Sequence, residues 1–390
     1  EVDPPVVNWS KMLSYKEGMI KDNTKGIEYL FKKNKITLIN GWASFIDQNT
    51  ISVDNKNFEA NYFVIATGSE ATSLKNIEFD EKVIVSSTGA LELEKIPEKM
   101  IIVGAGVIGL EMGSIYSRLG TEVTVVEFFD KVLNGMDHDI SKNFKSILKK
   151  HCFIFHLNSS VYMITKEKKC VKFTFKQVDS HDQNELSADV VLVATGRKPF
   201  TKNLKLENIG VKLNPKGQIE TDNNWRTTAT NIFALGDVTS GPMLAHKAEE
   251  EGIAVAEIIA GQAGHVNFQV IPSVVYTDPE VAAVGKTENE LKEEGIQIKV
   301  GKFSFMGNGR AKTVFSSNGF VKIIADSNND RILGAHIIGP AAGDLIHEVC
   351  MAMEFGASTE DLARTCHAHP TFSEAVREAA LACGLGAIHS

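Results

Sequence analysis

A chain of 390 residues is too long for one ordinary hydrophobic core, so its length predicts two or three domains. Hydrophobic residues make up 43% of the chain and charged residues 23%, as in soluble globular proteins, and no apolar run reaches the roughly eighteen residues of a membrane-spanning helix. The net charge of −8 and the lack of a Lys/Arg-rich block argue against nucleic acid. We therefore expect no nucleic acid and no membrane among the partners.

Cysteine usage and the first residues bear on the compartment. The five cysteines are odd in number and scattered, with no C-x-x-C pair, which is typical of a reduced intracellular protein. They are Cys152, Cys170, Cys350, Cys366 and Cys383. The chain begins EVDPPVVNWS, without an initiator Met or an apolar signal core. We expect either that a targeting segment has been removed or that the start of the protein is missing.

The first third of the chain alternates helical and strand-like patterns. Residues 9–34 predict a Lys-rich helix, and short strands are predicted over 36–45 and 50–54. The segment YFVIATGSE (62–70) carries four apolar residues before Thr-Gly-Ser, which predicts a buried strand that ends in a sharp turn. Residues 100–127 predict a strand, a Gly-rich turn, a helix and a second strand.

The same strand ending, Ala-Thr-Gly, recurs within 188–199, and its alanine lies 128 residues after the first one (Ala66 to Ala194). This repetition predicts two related nucleotide-binding domains. From residue 268 the pattern changes to short alternating strands separated by turn residues, which predicts an α+β domain built on an antiparallel sheet. Further helices are predicted over 244–260, 341–356 and 371–382.

The glycine turn at 104–109 predicts a dinucleotide site. Gly104, Gly106 and Gly109 follow a strand and open a helix, and the next strand ends at Glu127, 23 residues after Gly104. The first glycine permits the tight turn, the second lets backbone approach a pyrophosphate, and the third lets helix and strand pack closely. The helix N-terminus favours phosphate. Glu127 can accept hydrogen bonds from both adenosine ribose hydroxyls and would repel a 2′-phosphate, so NAD is favoured over NADP. The alternative is a glycine turn in some other α/β protein.

Five stretches together resemble the FAD-dependent pyridine nucleotide–disulfide oxidoreductases, most closely the branch that acts on lipoyl groups. They are IATGSE, VGAGVIGLEMGSIYSRLGTEVTVVEF, ATGRKPF, NIFALGDVTSGPMLAHKAEEEG and CHAHPTFSEA, in the family's order and across nearly the whole chain. The resemblance implies an α/β fold with two Rossmann-like nucleotide-binding domains, the FAD domain incomplete and the NAD domain intact, and a C-terminal α+β dimerisation domain. The implied domains are a partial FAD domain (1–88), an NAD domain (89–217), an FAD or central segment (218–267) and a dimerisation domain (268–390).

The resemblance also implies which residues bind the two cofactors, FAD and NAD. On the FAD side these are positions where backbone approaches the flavin nucleotide, an acid that meets its sugar chain, and a helix N-terminus that faces the flavin: Ala43, Thr67, Gly68, Ser69, Asp237, Met243, Leu244, Ala245 and His246. On the NAD side they are the glycine turn, the ribose acid, a glutamate toward the nicotinamide, an adenine-lining residue and a ribose-approaching glycine: Gly104, Ala105, Gly106, Val107, Ile108, Gly109, Leu110, Glu111, Glu127, Val161 and Gly196.

In CHAHPTFSEA the resemblance implies an acid–base pair. His369 would accept a proton from a dihydrolipoyl thiol, and Glu374 would orient the imidazole and balance its charge. Pro370 can pin the backbone before a helix whose first turn holds Glu374. Two alternatives stay open from these residues alone. A metal site could be built from Cys366, His367, His369 and Glu374 (we expect none), or His369 could merely cap the following helix. We expect His367 to support the loop and Cys366 to be structural.

Two features that the family needs are absent from these 390 residues. They are an N-terminal G-x-G-x-x-G strand for the FAD pyrophosphate and a C-x-x-x-x-C redox pair. In family order both precede Glu1, so about a hundred residues are expected to be missing.

We expect an NAD-dependent enzyme that oxidises dihydrolipoamide through a redox disulfide and FAD. A catalytically inactive NAD-binding and dimerising fragment is one alternative. Another is a different FAD disulfide reductase, disfavoured because Phe128, Phe129 and Asp130 stand where an NADP enzyme would have basic residues.

The partners implied by the resemblance are a second copy of the chain, in a homodimer, and the lipoyl domains of 2-oxoacid dehydrogenase complexes or of the glycine cleavage system. The implied compartment is the mitochondrial matrix in a eukaryote, or the cytoplasm in a bacterium.

Overall fold

The computed structural model describes residues 6–168, 170–178, 180 and 182–389. Contacts divide the chain into two compact units. The first unit comprises residues up to 72, 91–96 and 196–266, and the second comprises 73–90, 97–195 and 267–390.

The bounds of the regular elements follow in chain order. The helices are α1 (Trp9–Lys33), α2 (Ser87–Ala90), α3 (Val107–Arg118), α4 (His138–Lys150), α5 (Ala245–Ile259), α6 (Glu288–Glu293), α7 (Gly309–Thr313), α8 (Ala342–Glu354), α9 (Thr359–Arg364) and α10 (Glu374–Ala382). The strands of the first two thirds are β1 (Ala43–Asp47), β2 (Thr50–Val53), β3 (Lys56–Glu59), β4 (Phe63–Ile65), β5 (Ser69–Ala71), β6 (Ile84–Val85), β7 (Lys99–Val103), β8 (Glu122–Val126), β9 (Ile154–His156), β10 (Ser159–Lys166), β11 (Val171–Gln177), β12 (Gln183–Ala188), β13 (Val190–Val193), β14 (Arg197–Pro199) and β15 (Ile232–Ala234). The strands of the last third are β16 (Ser273–Val275), β17 (Glu280–Gly285), β18 (Ile298–Ser304), β19 (Phe320–Asp326) and β20 (Ile332–Gly339). Short 3₁₀ turns cover Leu206–Ile209, Gly236–Val238, Phe268–Val270 and Phe305–Gly307.

The first unit forms small separate sheets. Strands β1, β2 and β3 make an antiparallel meander, β4 runs parallel to β15, and β5 pairs antiparallel with β14. Because β4 and β15 are parallel neighbours, the turns that follow them, at 67–69 and 236–238, lie at the same edge of that sheet. The core beneath them includes Phe45, Ile65, Leu204, Ile232, Ala234 and Val238.

Helix α1 has the predicted position, but none of its residues is buried. Its start is fixed by Asn8, whose side chain accepts the Lys11 N–H at 3.1 Å. The Trp9 indole donates to the Leu93 carbonyl at 2.9 Å, and Lys16 pairs with Glu92 at 2.5 Å. Apart from these polar contacts at its N-terminal end, the helix lies on the surface of the first unit.

The predicted strand over 36–45 is largely wrong, because strand β1 begins only at Ala43. The apolar side chains of Ile36, Leu38 and Ile39 are 53%, 52% and 45% exposed. Apolar and β-branched residues favour a strand only when a neighbouring strand pairs with them and a core covers them. Neither condition is met in this segment as the structure describes it.

The second unit begins with a parallel sheet in the order β6-β13-β7-β8-β9. Its central strands are buried apolar runs, as parallel sheets with both faces covered require. An antiparallel sheet of β10, β11 and β12 joins this core through Val171, Phe173 and Phe175. Helix α3 follows β7 directly, so the glycine turn lies at the carboxyl end of a central strand, where α/β sheets bind ligands.

The last third carries the antiparallel sheet β16-β17-β20-β19-β18, as predicted from its alternating pattern. Helices α8, α9 and α10 contribute to the buried core of this sheet through Ile346, Val349, Leu362, Val376 and Ala379. Helix α10 begins at Glu374, three residues later than the predicted start at 371. The segment 365–373 therefore runs without helix between α9 and α10, and it carries both histidines of the CHAH motif.

Candidate active site

Two glycines of the turn are required by the fold itself. Gly104 has φ +105°, and a Cβ there would lie 2.5 Å from the Ala194 carbonyl oxygen. A Cβ at Gly109 would lie 2.4 Å from the Gly104 carbonyl oxygen. Either contact is too short for a side chain, so both positions need glycine whether or not a ligand binds.

Gly106 differs, because the fold does not require a glycine there. Its backbone is extended (φ −81°, ψ −177°), and no atom of the described chain lies within 4 Å of a Cβ built on it. It is the N-cap of α3, and among the described residues no side chain caps that helix. Open space beside backbone at an uncapped helix N-terminus is what a dinucleotide pyrophosphate requires. The residues present therefore fit NAD.

Glu127 lies against this turn at the end of β8. The residue is 8% exposed, and its carboxylate accepts the Ala105 N–H at 2.5 Å with Oε2 and the Phe129 N–H at 2.8 Å with Oε1. Backbone donors thus hold both oxygens beside the glycine turn, and each oxygen retains a lone pair. The prediction that they meet two ribose hydroxyls is compatible with this arrangement and stays a prediction.

Glu111, on the first turns of α3, accepts the Tyr276 N–H at 2.8 Å. Burial raises the pKa of Glu111, and this one hydrogen bond offsets only part of the effect. Val161 is partly buried on β10 and packs against the core of the sheet, as an ordinary core residue would. Gly196 belongs to the first unit, has φ +132°, and has open space where a Cβ would stand.

In the first unit, Ser69 and Asp237 meet at the edge where β4 and β15 end. The Ser69 hydroxyl donates to Asp237 Oδ2 at 2.5 Å. Arg197, which the sequence analysis did not select, donates to Ser69 Oγ and to the Ser69 carbonyl, both at 2.7 Å. The Thr67 hydroxyl donates to the Phe200 carbonyl at 2.6 Å, and Gly68 has φ +71°. The repeated Ala-Thr-Gly ending followed by Arg197 was the signal that could have revealed this contact.

Helix α5 begins at Ala245, after an extended Leu244, and no described side chain caps it. Met243 and Leu244 precede the helix, and Ala245 and His246 open it. That this helix end faces a flavin stays a prediction. The carboxylate of Asp237, which can accept hydrogen bonds from the hydroxyls of a sugar chain, and the uncapped N-terminus of α5 fit the flavin side of FAD. Ala43 opens β1 and lines a cavity of about 490 Å³ with Trp42 and Thr201.

Sequence reasoning also missed a buried ion pair behind Asp237. Lys247 and Glu251 are 1% and 2% exposed, and their charged groups lie 2.9 Å apart. Glu251 accepts the Gly236 N–H at 2.7 Å. The pair therefore fixes the backbone that presents Asp237. An i,i+4 Lys–Glu spacing on a helix is common on surfaces, so the sequence gives no sign that this one is buried.

His369 and Glu374 are in contact. His369 Nδ1 donates to Glu374 Oε1 at 2.9 Å, and the Thr371 N–H donates to Oε2, also at 2.9 Å. Burial would raise the pKa of Glu374, but the bonds from Thr371 and His369 outweigh it and hold that pKa below its usual range. The His369 side chain is 78% exposed, which leaves Nε2 accessible. We call this pair the dyad.

Comparison with known proteins identifies the family. The model of the family described as "Pyridine nucleotide-disulphide oxidoreductase" matches residues 5–252, and that of its "dimerisation domain" matches 271–380. The chain belongs to the pyridine nucleotide–disulphide oxidoreductase family.

Similar proteins agree with this assignment. "Dihydrolipoyl dehydrogenase 1, mitochondrial" of Arabidopsis thaliana is 50% identical over 98% of this chain and 75% of its own length. "Dihydrolipoyl dehydrogenase, mitochondrial" of Homo sapiens is 49% identical over 97% of this chain and 76% of its own length. Among solved structures, the flavoprotein disulfide reductase RclA from Escherichia coli is 28% identical with a TM-score of 0.82, over 93% of this chain and 84% of its own. LpdA from Mycobacterium tuberculosis is 24% identical with a TM-score of 0.89, over 97% and 84%, and shows the fold alone.

Family membership makes the chain an oxidoreductase of the FAD- and NAD-dependent kind, with the predicted fold class. The dimerisation domain over 271–380 indicates a homodimer. In the part of the chain that the structure describes, no helix is both long and apolar enough to cross a bilayer.

The alternatives for the CHAH motif can be compared with its geometry. Within the described residues, no group of three His, Cys, Asp or Glu side chains could hold a metal ion. His367 pairs with Glu348 rather than with His369, and Cys366 is exposed. The capping alternative fails in its simple form, since the N-cap of α10 is Ser373 and no described side chain caps that helix.

Proposed function

We propose that this oxidoreductase is a dihydrolipoyl dehydrogenase, which oxidises protein-bound dihydrolipoamide to lipoamide and reduces NAD⁺ to NADH. The dyad is the observation that carries the proposal, because it offers an exposed imidazole nitrogen backed by an ionised carboxylate. Dihydrolipoamide loses two electrons and two protons; NAD⁺ takes up the equivalent of a hydride, and one proton is released.

His369 acts as the base in this proposal. A thiol with a reference pKa of about 8.5 is mostly protonated at neutral pH and reacts as its thiolate, so a positioned base assists it. Nε2 receives the proton, while the bond from Nδ1 to Glu374 fixes the tautomer and stabilises the imidazolium that forms. The Thr371 N–H keeps the carboxylate aimed at the ring.

The glycine turn and the residues around it hold NAD. Gly106 gives the pyrophosphate access to backbone N–H groups, and Glu127 meets the adenosine ribose and discriminates against NADP. Glu111 faces the nicotinamide, while Val161 approaches the adenine.

On the flavin side, Ser69 and Asp237 meet the sugar chain of FAD, and the N-terminus of α5 faces its ring. When bound, FAD supplies a two-electron carrier between a redox disulfide and NAD. The five cysteines of this sequence include no C-x-x-x-x-C pair. The proposed activity therefore belongs to this chain together with the residues that carry the disulfide and the FAD pyrophosphate turn.

The proposal extends to organisation and setting. The domains are the partial FAD domain (1–88), the NAD domain (89–217), the central segment (218–267) and the dimerisation domain (268–390). The homodimer receives lipoyl domains of 2-oxoacid dehydrogenase complexes or of the glycine cleavage system in the mitochondrial matrix. The 50% identity to a mitochondrial plant relative supports the compartment.

The decisive experiment mixes the purified protein with FAD, dihydrolipoamide and NAD⁺ and follows NADH absorbance. A yellow protein that forms NADH, and that neither accepts NADPH nor reduces glutathione disulfide, supports the proposal. A colourless protein that binds NAD without turnover supports a binding and dimerising fragment instead, which the intact glycine turn favours as the second candidate.

A further inference from the structure

The other histidine of the CHAH motif is bound quite differently from His369. The His367 side chain is only 4% exposed. Its Nε2 lies 2.5 Å from Glu348 Oε1, and its Nδ1 lies 2.8 Å from the Thr365 carbonyl oxygen. Both ring nitrogens are therefore engaged inside the protein, whereas His369 has one engaged nitrogen and an exposed ring.

The two partners of His367 occupy both of its ring nitrogens. A backbone carbonyl can only accept a hydrogen bond, so Nδ1 donates to the Thr365 carbonyl. Nε2 forms a hydrogen bond with the carboxylate of Glu348, whose side chain is 29% exposed. The ring cannot accept a proton from a substrate without first breaking one of these bonds.

The bonds of His367 also tie down the segment that carries His369. Residues 365–373 connect α9 and α10. The later part of this segment is held through Thr371, whose hydroxyl donates to the Ala368 carbonyl at 2.7 Å and whose carbonyl accepts from Asn308 at 2.9 Å. The earlier part is tied to α8 through the bond between His367 and Glu348.

We propose that His367 is a positioning residue, bonded through both ring nitrogens to Glu348 and to the Thr365 carbonyl, which fixes the segment that presents His369 to the substrate thiol. The two histidines of the CHAH motif thus have different roles: His367 holds the segment, and His369 accepts the proton. The kinetic consequence rests on the proposed function, but the hydrogen bonding of His367 does not.

The first test is spectroscopic and needs no activity. Protein labelled with ¹⁵N-histidine is examined by NMR at neutral pH, and the variant His367→Gln assigns the signal. We expect the Nδ1 proton of His367, which bonds the Thr365 carbonyl, to exchange slowly with solvent, and to exchange faster in Glu348→Gln because the Glu348 carboxylate no longer holds the ring. Rapid exchange of this proton in the unaltered protein, or an equal rate in Glu348→Gln, overturns the proposal.

The second test is kinetic and uses the complete holoenzyme. Glu348→Gln should lower kcat for dihydrolipoamide oxidation about 10- to 100-fold, because a displaced base is a poor base. It should leave the KM for NAD⁺ and the NADH-dependent reduction of ferricyanide unchanged, since neither uses His369. Glu354→Gln is the matched control, because this exposed glutamate ends the same helix and accepts one bond, from Asn267 at 2.8 Å.

The outcomes separate the two proposals. Equal kcat values in Glu348→Gln and Glu354→Gln would overturn the positioning role. Partial recovery in Glu348→Asp, which restores the charge, would support it. If the unaltered holoenzyme does not oxidise dihydrolipoamide, the proposed function fails, and the NMR result alone decides whether His367 is held through both ring nitrogens.

Discussion

Two groupings of a basic side chain with carboxylates in the second unit, one around His369 and one around Lys322, differ in exposure and in unused hydrogen-bonding capacity. His369 is 78% exposed and meets one carboxylate. Lys322 is 2% exposed, and its ammonium lies within 3.1 Å of three carboxylates. The carboxylates belong to Asp137, Asp139 and Glu288. We call these three residues together with Lys322 the lysine cluster.

In the lysine cluster, every hydrogen-bond donor of Lys322 has a carboxylate partner. Its ammonium lies 2.9 and 3.0 Å from the oxygens of Asp137, which is 1% exposed, and 2.7 Å from Glu288. Burial would raise the pKa of Asp137, but the hydrogen bonds and charge of Lys322 outweigh it and hold that pKa below its usual range. All three donors of Lys322 are occupied, so no proton or bond is left to offer. Charge pairing alone therefore does not mark an active site; an exposed group with an unused nitrogen does.

Replacing the base of the dyad should give the largest effect. His369→Gln keeps a donor toward Glu374 but cannot accept the thiol proton, so we expect kcat for dihydrolipoamide oxidation to fall about 10²- to 10⁴-fold. Ferricyanide reduction by NADH should be unaffected. The control is His347→Gln, an exposed histidine on α8 that bonds the Gly343 carbonyl at 2.9 Å. Equal turnover in the two variants would remove the distinction between the dyad and an ordinary surface pair.

Replacing the cation of the lysine cluster should change stability instead of chemistry. Lys322→Met leaves the buried carboxylate of Asp137 without its cationic partner, which costs about 3–5 kcal/mol in the free energy of unfolding. The matched control is Lys292→Met, whose 2.5 Å pair with Glu288 is solvent-exposed and contributes at most about 1 kcal/mol. Chemical denaturation of the variants measures both values.

The stability loss in Lys322→Met should depend on pH, because the pKa of Asp137 is lowered in the folded protein. A lowered pKa of Asp137 stabilises the fold above the usual carboxyl range, and the contribution is lost as acid protonates the group. The gap between the unaltered protein and Lys322→Met should therefore shrink below about pH 4. A gap that is equally large in acid would show that packing, and not charge, causes the loss.

The same comparison explains what the sequence could predict. His369 and Glu374 are five residues apart in one motif, so local spacing and the family pattern were enough to bring them together. Asp137 and Lys322 lie 185 residues apart on different elements, and nothing in either local sequence indicates that they meet. Their contact is decided by how the antiparallel sheet of the last third packs onto α4.

Other outcomes follow the same rule. The glycine turn was readable, because strand, turn and helix are consecutive and each glycine has a steric reason. The strand predicted over 36–45 was wrong, because strand formation depends on a partner that local propensity does not report. The ties of Arg197 to Ser69 and of Glu348 to His367 span 128 and 19 residues and required the structure.

The third prediction concerns backbone at the N-terminus of α3, where no described side chain caps the helix. Gly106→Ala fits the extended backbone and meets no neighbour, so stability should change by less than about 1 kcal/mol. A methyl group there intrudes on the space for the pyrophosphate, and we expect the Kd for NAD⁺ to rise about tenfold or more, a loss of about 1.4 kcal/mol. Gly309→Ala, at the first residue of α7 with equally open surroundings, is the control for titration by calorimetry. Unchanged affinity would mean that the open space at Gly106 is not a ligand site.

Glu111 is intermediate in exposure between the dyad and the lysine cluster, and its replacement should have the smallest effect. It is partly buried and has one backbone partner, Tyr276, so burial raises its pKa. A carboxyl whose pKa is raised by folding destabilises the folded state once the pH exceeds its unfolded value, and the penalty vanishes in acid. Glu111→Gln keeps an acceptor for the Tyr276 N–H and removes the charge. We therefore expect Tm to rise by about 2 °C or less at neutral pH and not to change near pH 4.

The NAD-dependent rate should fall in the same variant, because a group retained at a cost in stability is retained for its chemistry. A lower Tm at neutral pH, or an unchanged rate, would place Glu111 with the lysine cluster as a structural carboxylate.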